Sequence, residues 1–327
     1  MTSYSWVVDQ PGSAFRKVEL ARRPLRANEV LVRICASGVN PLDTKIRRGE
    51  AAHAQQPLPA VLGLDMAGIV EESSPEAASF KTGDEVYGMV GGVGGRQGTL
   101  AELIVVDASL LARKPANLSM REAAVLPLSV ITAWEGLVDR AAVHNQHKVL
   151  IHAGAGGVGH IAVQLARAFG AEVFATVSAD KMKIVERFGA TPIDYRIFSV
   201  DDYVAKFTGG IGFDIVYDTV GGATLDASFR AVKLYTGHVL SSLGWGSHSL
   251  APLSFRGATY SGVFTLLPLL TGEGMAHHGE ILRKAAALAE AGKLRPLLND
   301  RHFISTDIET AYETVSSGSL GKVVIEL

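Results

Sequence analysis

Cysteine and net charge are what this sequence has least of. It contains 327 residues and a single cysteine, Cys35, which excludes an internal disulfide framework and a zinc site built from several thiolates. The 31 Lys and Arg residues nearly balance the 33 Asp and Glu residues and leave a formal net charge of −2. A chain without a basic surface has little means of collecting phosphate backbones, so we do not expect it to bind nucleic acid.

A long apolar run is also missing. No stretch approaches the roughly 20 apolar residues that a membrane helix needs, and the N-terminal segment lacks the basic flank and apolar core of a signal peptide. We therefore expect a cytoplasmic protein that does not associate with membranes. The composition is that of a globular protein, with 47% hydrophobic residues, and at roughly 150 residues per domain the length predicts about two domains.

The first 120 residues are predicted to be rich in β-structure. Residues 29–36 (EVLVRICA) alternate with the period of two that is typical of a half-buried strand. Further strand candidates, separated by Gly, Pro and Asp, lie at residues 67–71, 85–87 and 100–106. No long helical period begins before about residue 119.

From residue 149 onward, short apolar runs alternate with helical patterns, which predicts an α/β domain with a parallel, doubly wound sheet. The strand candidates are residues 149–151, 173–177, 192–194, 214–217, 239–243 and 259–264. Six such strands predict the order 3-2-1-4-5-6, in which the sixth is an exposed edge. Helices are predicted at residues 280–291 and 308–316, and a last strand at 322–327. We expect this strand to return to the N-terminal sheet, so that residues 1–120 and 268–327 form one domain around a second domain at 121–267.

A glycine-rich turn follows the first strand of the doubly wound region. Gly154, Gly156 and Gly159 satisfy G-x-G-x-x-G between a predicted strand and a predicted helix, the context that gives this weak pattern its meaning. The free N–H groups at the start of such a helix favour phosphate. The sequence therefore predicts a dinucleotide site, with a glycine-rich turn that binds no ligand as the alternative.

The end of the second strand decides between NADP and NAD. An NAD site usually carries an acid there, bonded to the ribose 2′-hydroxyl. Here the strand runs into Ser178, and Lys181 follows; a hydroxyl and a lysine suit a 2′-phosphate. Asp180 lies in the same window, and if the strand ended two residues later the preference would reverse.

Several short motifs follow one another along the chain. They are GVNPLD at 38–43, RG at 48–49, LGLDMAG at 62–68, GDEVYG at 83–88, TAW at 132–134, the glycine turn at 154–159, DY at 194–195 and DTVGG at 218–222. Their order and spacing resemble the medium-chain dehydrogenases/reductases, and among these the zinc-free quinone oxidoreductase group related to zeta-crystallin. The resemblance covers essentially the whole chain.

This resemblance implies a GroES-like catalytic domain split around a Rossmann domain, with NADPH bound and its nicotinamide in the cleft between them. It implies that Asn40 and Asp43 lie near the nicotinamide and that Thr132 contacts the inner phosphates. The implied pyrophosphate contacts are Gly154, Ala155, Gly156, Gly157, Val158 and Gly159. The implied 2′-phosphate contacts are Ser178, Lys181 and Tyr195. The residues implied beside the nicotinamide ring are Ser242, Leu243, Gly244 and Phe264.

Zinc is not expected. Zinc-dependent relatives place a cysteine where this chain has Asn40 and a His-Glu pair where it has Leu64 and Asp65, and leucine cannot bind a metal.

Some reductase relatives carry a tyrosine, proposed as a proton donor, in the region of residues 49–56. His53 is the candidate replacement, because imidazole titrates near neutral pH; an exposed loop histidine without a role is the alternative.

The sequence thus predicts an NADPH-dependent oxidoreductase that transfers hydride to a quinone or an enone without a metal. A zinc-type alcohol dehydrogenase relative and a non-catalytic NADPH-binding protein are the alternatives. A homodimer is also predicted. Residues 259–264 have no Lys, Glu or Pro to protect a sheet edge, and relatives pair this strand with its symmetry mate.

Overall fold

The structure is a computed structural model that describes residues 2–327. The strands are β1 (Thr2–Val8), β2 (Phe15–Ala21), β3 (Glu29–Val39), β4 (Ala60–Val61), β5 (Asp65–Ser73), β6 (Glu85–Met89), β7 (Leu103–Asp107), β8 (Leu111–Arg113), β9 (Lys148–Ile151), β10 (Glu172–Val177), β11 (Thr191–Asp194), β12 (Ile215–Asp218), β13 (His238–Ser241), β14 (Thr259–Gly262), β15 (Phe303–Ile304) and β16 (Val323–Glu326). The α-helices are α1 (Pro41–Arg47), α2 (Met120–Ala124), α3 (Pro127–Trp134), α4 (Gly159–Ala168), α5 (Met182–Arg187), α6 (Val200–Thr208), α7 (Ala223–Ala231), α8 (Ala251–Ser254), α9 (Leu267–Thr271), α10 (Met275–Glu290) and α11 (Ile308–Ser316).

The chain forms two compact units. The split unit consists of Met1–Leu128, Leu266–Gly292 and Pro296–Leu327, and the inserted unit of Ser129–Thr265 with Lys293–Arg295. No helix within residues 2–327 is long and apolar enough to cross a membrane.

The split unit is built on antiparallel sheets. One sheet has the strand order β15-β16-β3-β5-β6-β8, with β7 also paired to β3, and a smaller one has the order β2-β1-β4. The last strand, β16, pairs antiparallel with β3. As predicted, the C-terminal strand therefore returns to the N-terminal sheet.

The first boundary between the units falls after Leu128 rather than after residue 120. Helix α2 belongs to the split unit because it packs on β3 and β5. This packing is close: a Cβ atom on Gly38 would lie 2.4 Å from the carbonyl oxygen of Ala124. Farther along, Arg295 joins the inserted unit because the Gln164 side chain bonds its backbone N–H and carbonyl, both at 2.9 Å.

The inserted unit is a six-stranded parallel sheet. Its order, β11-β10-β9-β12-β13-β14, is the predicted order 3-2-1-4-5-6, and the predicted α/β class is confirmed. The core is apolar and includes Leu150 of β9, Phe174 of β10, Val216 of β12 and Phe229 of α7. Strands β13 and β14 each end two residues before the predicted position.

Candidate functional site

The carboxyl ends of the parallel strands bring most of the predicted cofactor residues to one edge of the inserted unit. Ser178 directly follows β10, Tyr195 follows β11 and Ser242 follows β13. The order of strands reverses between β9 and β12, and in doubly wound sheets a ligand binds at this reversal, outside the carboxyl ends.

The glycine turn is shaped by close contacts with the sheet. A Cβ on Gly154 would lie 2.5 Å from the Cβ of Ala175 in β10, and one on Gly159 would lie 2.1 Å from the Ala153 carbonyl oxygen. Side chains are therefore excluded at both positions. Gly156 and Gly157 are exposed, and α4 begins at Gly159. An uncovered backbone at the start of a helix fits the pyrophosphate of a dinucleotide.

The end of β10 is the region where the sequence did not decide between NADP and NAD as the cofactor. The strand ends at Val177, so Asp180 lies one turn beyond it. The Ser178 hydroxyl donates a hydrogen bond to Asp180, and this bond, together with the charges of Lys181 and Arg196, lowers the pKa of that carboxyl. A hydroxyl and two cations thus surround one exposed carboxylate.

Arg196 is a residue that the sequence analysis missed. Its guanidinium lies 5.8 Å from the ring centroid of Tyr195, and its backbone N–H bonds the Asp194 carboxylate at 2.9 Å. The available signal was its position directly after the Asp194-Tyr195 motif.

The DTVGG loop after β12 is held by its own aspartate. The buried Asp218 carboxylate accepts the N–H groups of Val220 at 3.0 Å and Gly221 at 2.9 Å, and the Ser241 hydroxyl at 2.7 Å. This explains why an aspartate opens the motif, to which the sequence analysis assigned no role.

His152, directly after β9, lies at the same edge. Its Nδ1 is 3.0 Å from the Thr176 hydroxyl, and burial lowers its pKa to about 4. The imidazole is therefore neutral at physiological pH and contributes a dipole rather than a charge.

The residues predicted beside the nicotinamide ring lie near one another in the inserted unit. The Trp245 indole meets the Phe264 ring edge-on, with centroids 5.9 Å apart, and its Nε1 donates to the Ser242 carbonyl at 3.3 Å. A Cβ on Gly244 would lie 2.2 Å from the Tyr260 hydroxyl. Trp245 and Tyr260 were not singled out from the sequence.

Thr132 is held close to this group. Its hydroxyl lies 2.9 Å from that of Thr265, and its backbone carbonyl accepts the Tyr217 hydroxyl at 2.7 Å.

The split unit carries a buried row of polar side chains. Lys322 donates to the Oδ1 atom of Asn40, and the Nδ2 atom of Asn40 donates to Oδ2 of Asp65 at 3.0 Å. Asn40 and Asp65 are 0% exposed and Lys322 is 6% exposed. Burial raises the pKa of Asp65 to about 6, although Lys322 opposes this shift. The sequence analysis named Asp65 as part of a motif and as a position of the His-Glu pair of zinc-dependent relatives, and it gave Lys322 no role.

Asp43 lies next to this row. Its Oδ2 atom accepts the Asn40 backbone N–H at 2.7 Å. Its Oδ1 atom and the Tyr312 hydroxyl are both buried and find no hydrogen-bond partner in the part of the chain that the structure describes. Burial raises the pKa of Asp43 to about 8. Asp43 is therefore a neutral carboxylic acid at physiological pH.

His53 lies on a 3₁₀ turn at Ala52–Ala54 and is half-buried. Burial, followed by the charge of Lys45, lowers the pKa of its imidazole. At neutral pH a smaller fraction of this imidazole therefore carries a proton than in an ordinary histidine.

A zinc ion does not fit at the position of Asn40, Leu64 and Asp65. Leu64 is 0% exposed and has no donor atom, and both polar atoms of the Asn40 amide already bond neighbours in the row. The Lys322 ammonium beside them would repel a metal ion. Among residues 2–327 no group of three or more His, Cys, Asp and Glu side chains is arranged to hold a metal.

Comparison with known proteins gives matches in both units. Residues 26–116 match the family described as alcohol dehydrogenase GroES-like domain, and residues 157–269 match the family described as zinc-binding dehydrogenase. A 2-methylene-furan-3-one reductase of Solanum lycopersicum is 36% identical over 312 residues, 92% of this chain and 72% of the relative. A chloroplastic NADPH-dependent alkenal/one oxidoreductase of Arabidopsis thaliana is 33% identical over 310 residues, again 92% of this chain and 72% of the relative.

The fold has a close match among solved structures. The crystal structure of an alcohol dehydrogenase superfamily protein from Novosphingobium aromaticivorans superposes with a TM-score of 0.98 at 55% identity and covers 99% of each chain. The similarity therefore extends over both units.

Proposed function

The chain belongs to the medium-chain dehydrogenase/reductase superfamily of NAD(P)H-dependent oxidoreductases, and from this premise we propose that it uses NADPH to reduce a small quinone or enone without a metal ion. The observation that carries the proposal is the buried row of Lys322, Asn40 and Asp65. Within this row, Asn40 stands where zinc-dependent relatives place a cysteine, and Asp65 stands at the second residue of their His-Glu pair. The two curated relatives are named for reducing an alkene conjugated to a carbonyl, which favours enones.

The residues of the inserted unit would hold the cofactor. The exposed backbone at Gly156 and Gly157 would bind the pyrophosphate, and Ser178, Lys181 and Arg196 would bind the 2′-phosphate. Bound NADPH supplies the hydride. We propose NADPH over NADH because Ser178 and two cations, Lys181 and Arg196, lie around the single acid Asp180, so a 2′-phosphate would meet more positive than negative charge there.

Asn40 is the proposed donor to the substrate. Negative charge develops on a carbonyl oxygen when hydride adds to an enone or a quinone, and a fixed N–H stabilises it. One Nδ2 hydrogen of Asn40 bonds Asp65; the second finds no acceptor among the described residues and would serve this oxygen. Asp43 fixes the Asn40 backbone.

With its lowered pKa, His53 would donate a proton mainly at acidic pH, and water is the proposed source at neutral pH.

We also propose a homodimer through β14. This strand is an edge of the parallel sheet, and Thr259, Tyr260 and Gly262 are exposed. A helix of the same chain could also protect this edge, but α10 packs on β6 and β8 of the split unit. The exposed edge has no charged residue in the strand itself, which favours pairing with a second copy, although the Arg140 side chain bonds the Gly262 carbonyl at 3.0 Å. A cytoplasmic location stays a prediction.

The test is an NADPH oxidation assay with a panel of enones, quinones and, in reverse, alcohols. We expect saturable reduction of enones or quinones that metal chelators leave unchanged, and loss of kcat by about 10²-fold or more in Asn40→Ala, the usual effect of removing one such donor. Alcohol oxidation that chelators abolish would favour a zinc-type dehydrogenase. Tight NADPH binding without reduction of any compound would favour a binding protein.

A further inference from the structure

Lys322 is a charged side chain in the interior of the split unit. Lysine is almost never fully buried unless it is paired, yet this residue is 6% exposed. The sheet register explains its partner: β16 pairs antiparallel with β3, with Val323 opposite Val39. Lys322, the residue before β16, therefore meets Asn40, the residue that follows β3.

The partners of Asn40 fix the orientation of its amide. An ammonium can only donate and a carboxylate can only accept, so Oδ1 must face Lys322 and Nδ2 must face Asp65. A flipped amide would place NH₂ against the ammonium and the oxygen against the carboxylate. Asp65 is itself fixed, because its Oδ1 atom accepts the Leu128 N–H at 3.0 Å.

Burial and neighbouring charges act against each other on the ionisable groups of the row. Burial lowers the pKa of Lys322, and the charges of Asp65 and Asp43 oppose this shift. Burial leaves Asp65 with a pKa of about 6 and Asp43 with one of about 8. The Lys322 side chain and the Asp65 carboxyl therefore lie on opposite sides of the Asn40 amide. Removal of one charged group leaves the other unpaired in the interior, whereas removal of both leaves no unpaired charge there.

We propose that Lys322 is a positioning residue for the reduction, which locks and polarises the Asn40 amide so that its second Nδ2 hydrogen is presented to the substrate carbonyl oxygen. This inference rests on the proposed function. A cation on Oδ1 draws electron density from the amide and strengthens its N–H as a donor. The side chain thereby supplies, from within the protein, the positive charge that a metal ion supplies in zinc-dependent relatives.

The kinetic test compares three variants. Lys322→Met leaves Asp65 unpaired and is expected to lower Tm strongly. Lys322→Met/Asp65→Asn removes the charges as a pair and is expected to fold, with kcat reduced about 10- to 100-fold, the effect of one charge-assisted hydrogen bond, and an unchanged KM for NADPH. The matched control is Lys114→Met, since Lys114 is also a buried lysine of the split unit, bonded to the Leu118 carbonyl; its kcat is expected to stay at the wild-type value.

A second measurement does not depend on turnover. The ¹H–¹⁵N signal of the Asn40 side-chain amide, assigned by its loss in Asn40→Ser, is expected to shift and to exchange faster with solvent in the double variant. A folded double variant with wild-type kcat, or an amide signal that does not move, would overturn the inference. An inactive wild type contradicts the proposed function instead, and the NMR signal then decides whether Lys322 holds the amide.

Discussion

The N–H group of Val263 donates to the carbonyl oxygen of Ser241 at 2.8 Å. This is the last hydrogen bond between β14 and β13, and it lies within one chain. Thr259 likewise donates to Gly237 at 2.9 Å. Because donors alternate along a strand, the N–H groups of Tyr260 and Gly262 point to the open side of the sheet. These are the groups that a second copy would pair with.

Gly262→Pro is expected to weaken the proposed dimer, because proline removes an outward N–H and leaves the Val263 bond in place. A Cβ at this position has room, since its nearest neighbour, the Tyr260 hydroxyl, would lie 3.7 Å away. Gly262→Ala is therefore the matched control. Analytical ultracentrifugation should give twice the 34.6 kDa chain mass for wild type and Gly262→Ala, and a shift towards monomer for Gly262→Pro. Monomeric wild type at micromolar concentration contradicts the dimer.

Lys181→Ala and Arg196→Ala are each expected to raise the KM for NADPH about ten-fold or more and to leave that for NADH nearly unchanged. A charge-assisted hydrogen bond contributes about 1.5–3 kcal/mol. NADH has no 2′-phosphate to make such a bond, so removing the cation does not weaken its binding. Lys183→Ala, at an exposed position in α5, is the control. Equal weakening of both cofactors would show that the 2′-phosphate binds elsewhere.

Purified protein is expected to hold well below one zinc per chain and to keep its activity in the presence of chelators. The reason is chemical: Leu64 offers no donor atom, and the Lys322 ammonium lies beside Asn40. Elemental analysis of protein prepared without added metal measures this directly. A tightly bound stoichiometric zinc would contradict the assignment to the zinc-free group.

Asp43→Asn is expected to change how stability depends on pH. The carboxyl has a pKa of about 8 in the folded chain, raised from 3.8 by burial, so folding retains a proton that the unfolded chain releases. Stability from this group is present below pH 4 and is lost as the pH rises to about 8, by at most about 1.4 kcal/mol per pH unit. Asparagine is a neutral isostere of the protonated acid and does not titrate.

Urea unfolding between pH 5 and 8 gives the measurement. The difference in unfolding free energy between wild type and Asp43→Asn should move in favour of the variant as the pH rises. Asp65 and Lys322 also face Asp43, but they are present in both proteins. A difference that stays constant over this range would show that Asp43 is already ionised at pH 5.

Local patterns predicted the inserted unit well. Strands β9 and β10 and the glycine turn between them carry their signal within about 30 residues, because a short apolar run, a glycine turn and a helical period are neighbours in sequence. Strands β1 and β2 were missed. β2 is exposed at most positions and is defined by its partner, with Ser5 opposite Val18, rather than by an apolar face of its own.

Residues fixed by distant partners could not be predicted. A lysine that begins the last strand suggests a solvated side chain, and only the register of β16 on β3 places Lys322 at Asn40. His278 is a similar case. It lies in α10 and is 0% exposed, because α10 packs so closely that a Cβ on Gly279 would lie 2.3 Å from the Ser109 carbonyl oxygen.

The return of β16 to β3 also determines the order of events during synthesis. Lys322 and Asn40 are 282 positions apart along the chain, so the whole inserted unit must leave the ribosome before the Lys322 side chain can reach Asn40. Until then Asp65 has no internal cation, and β3 keeps an open edge where β16 will pair. We therefore expect nascent chains that stop short of residue 322 to hold a folded inserted unit beside an unfinished, protease-sensitive sheet.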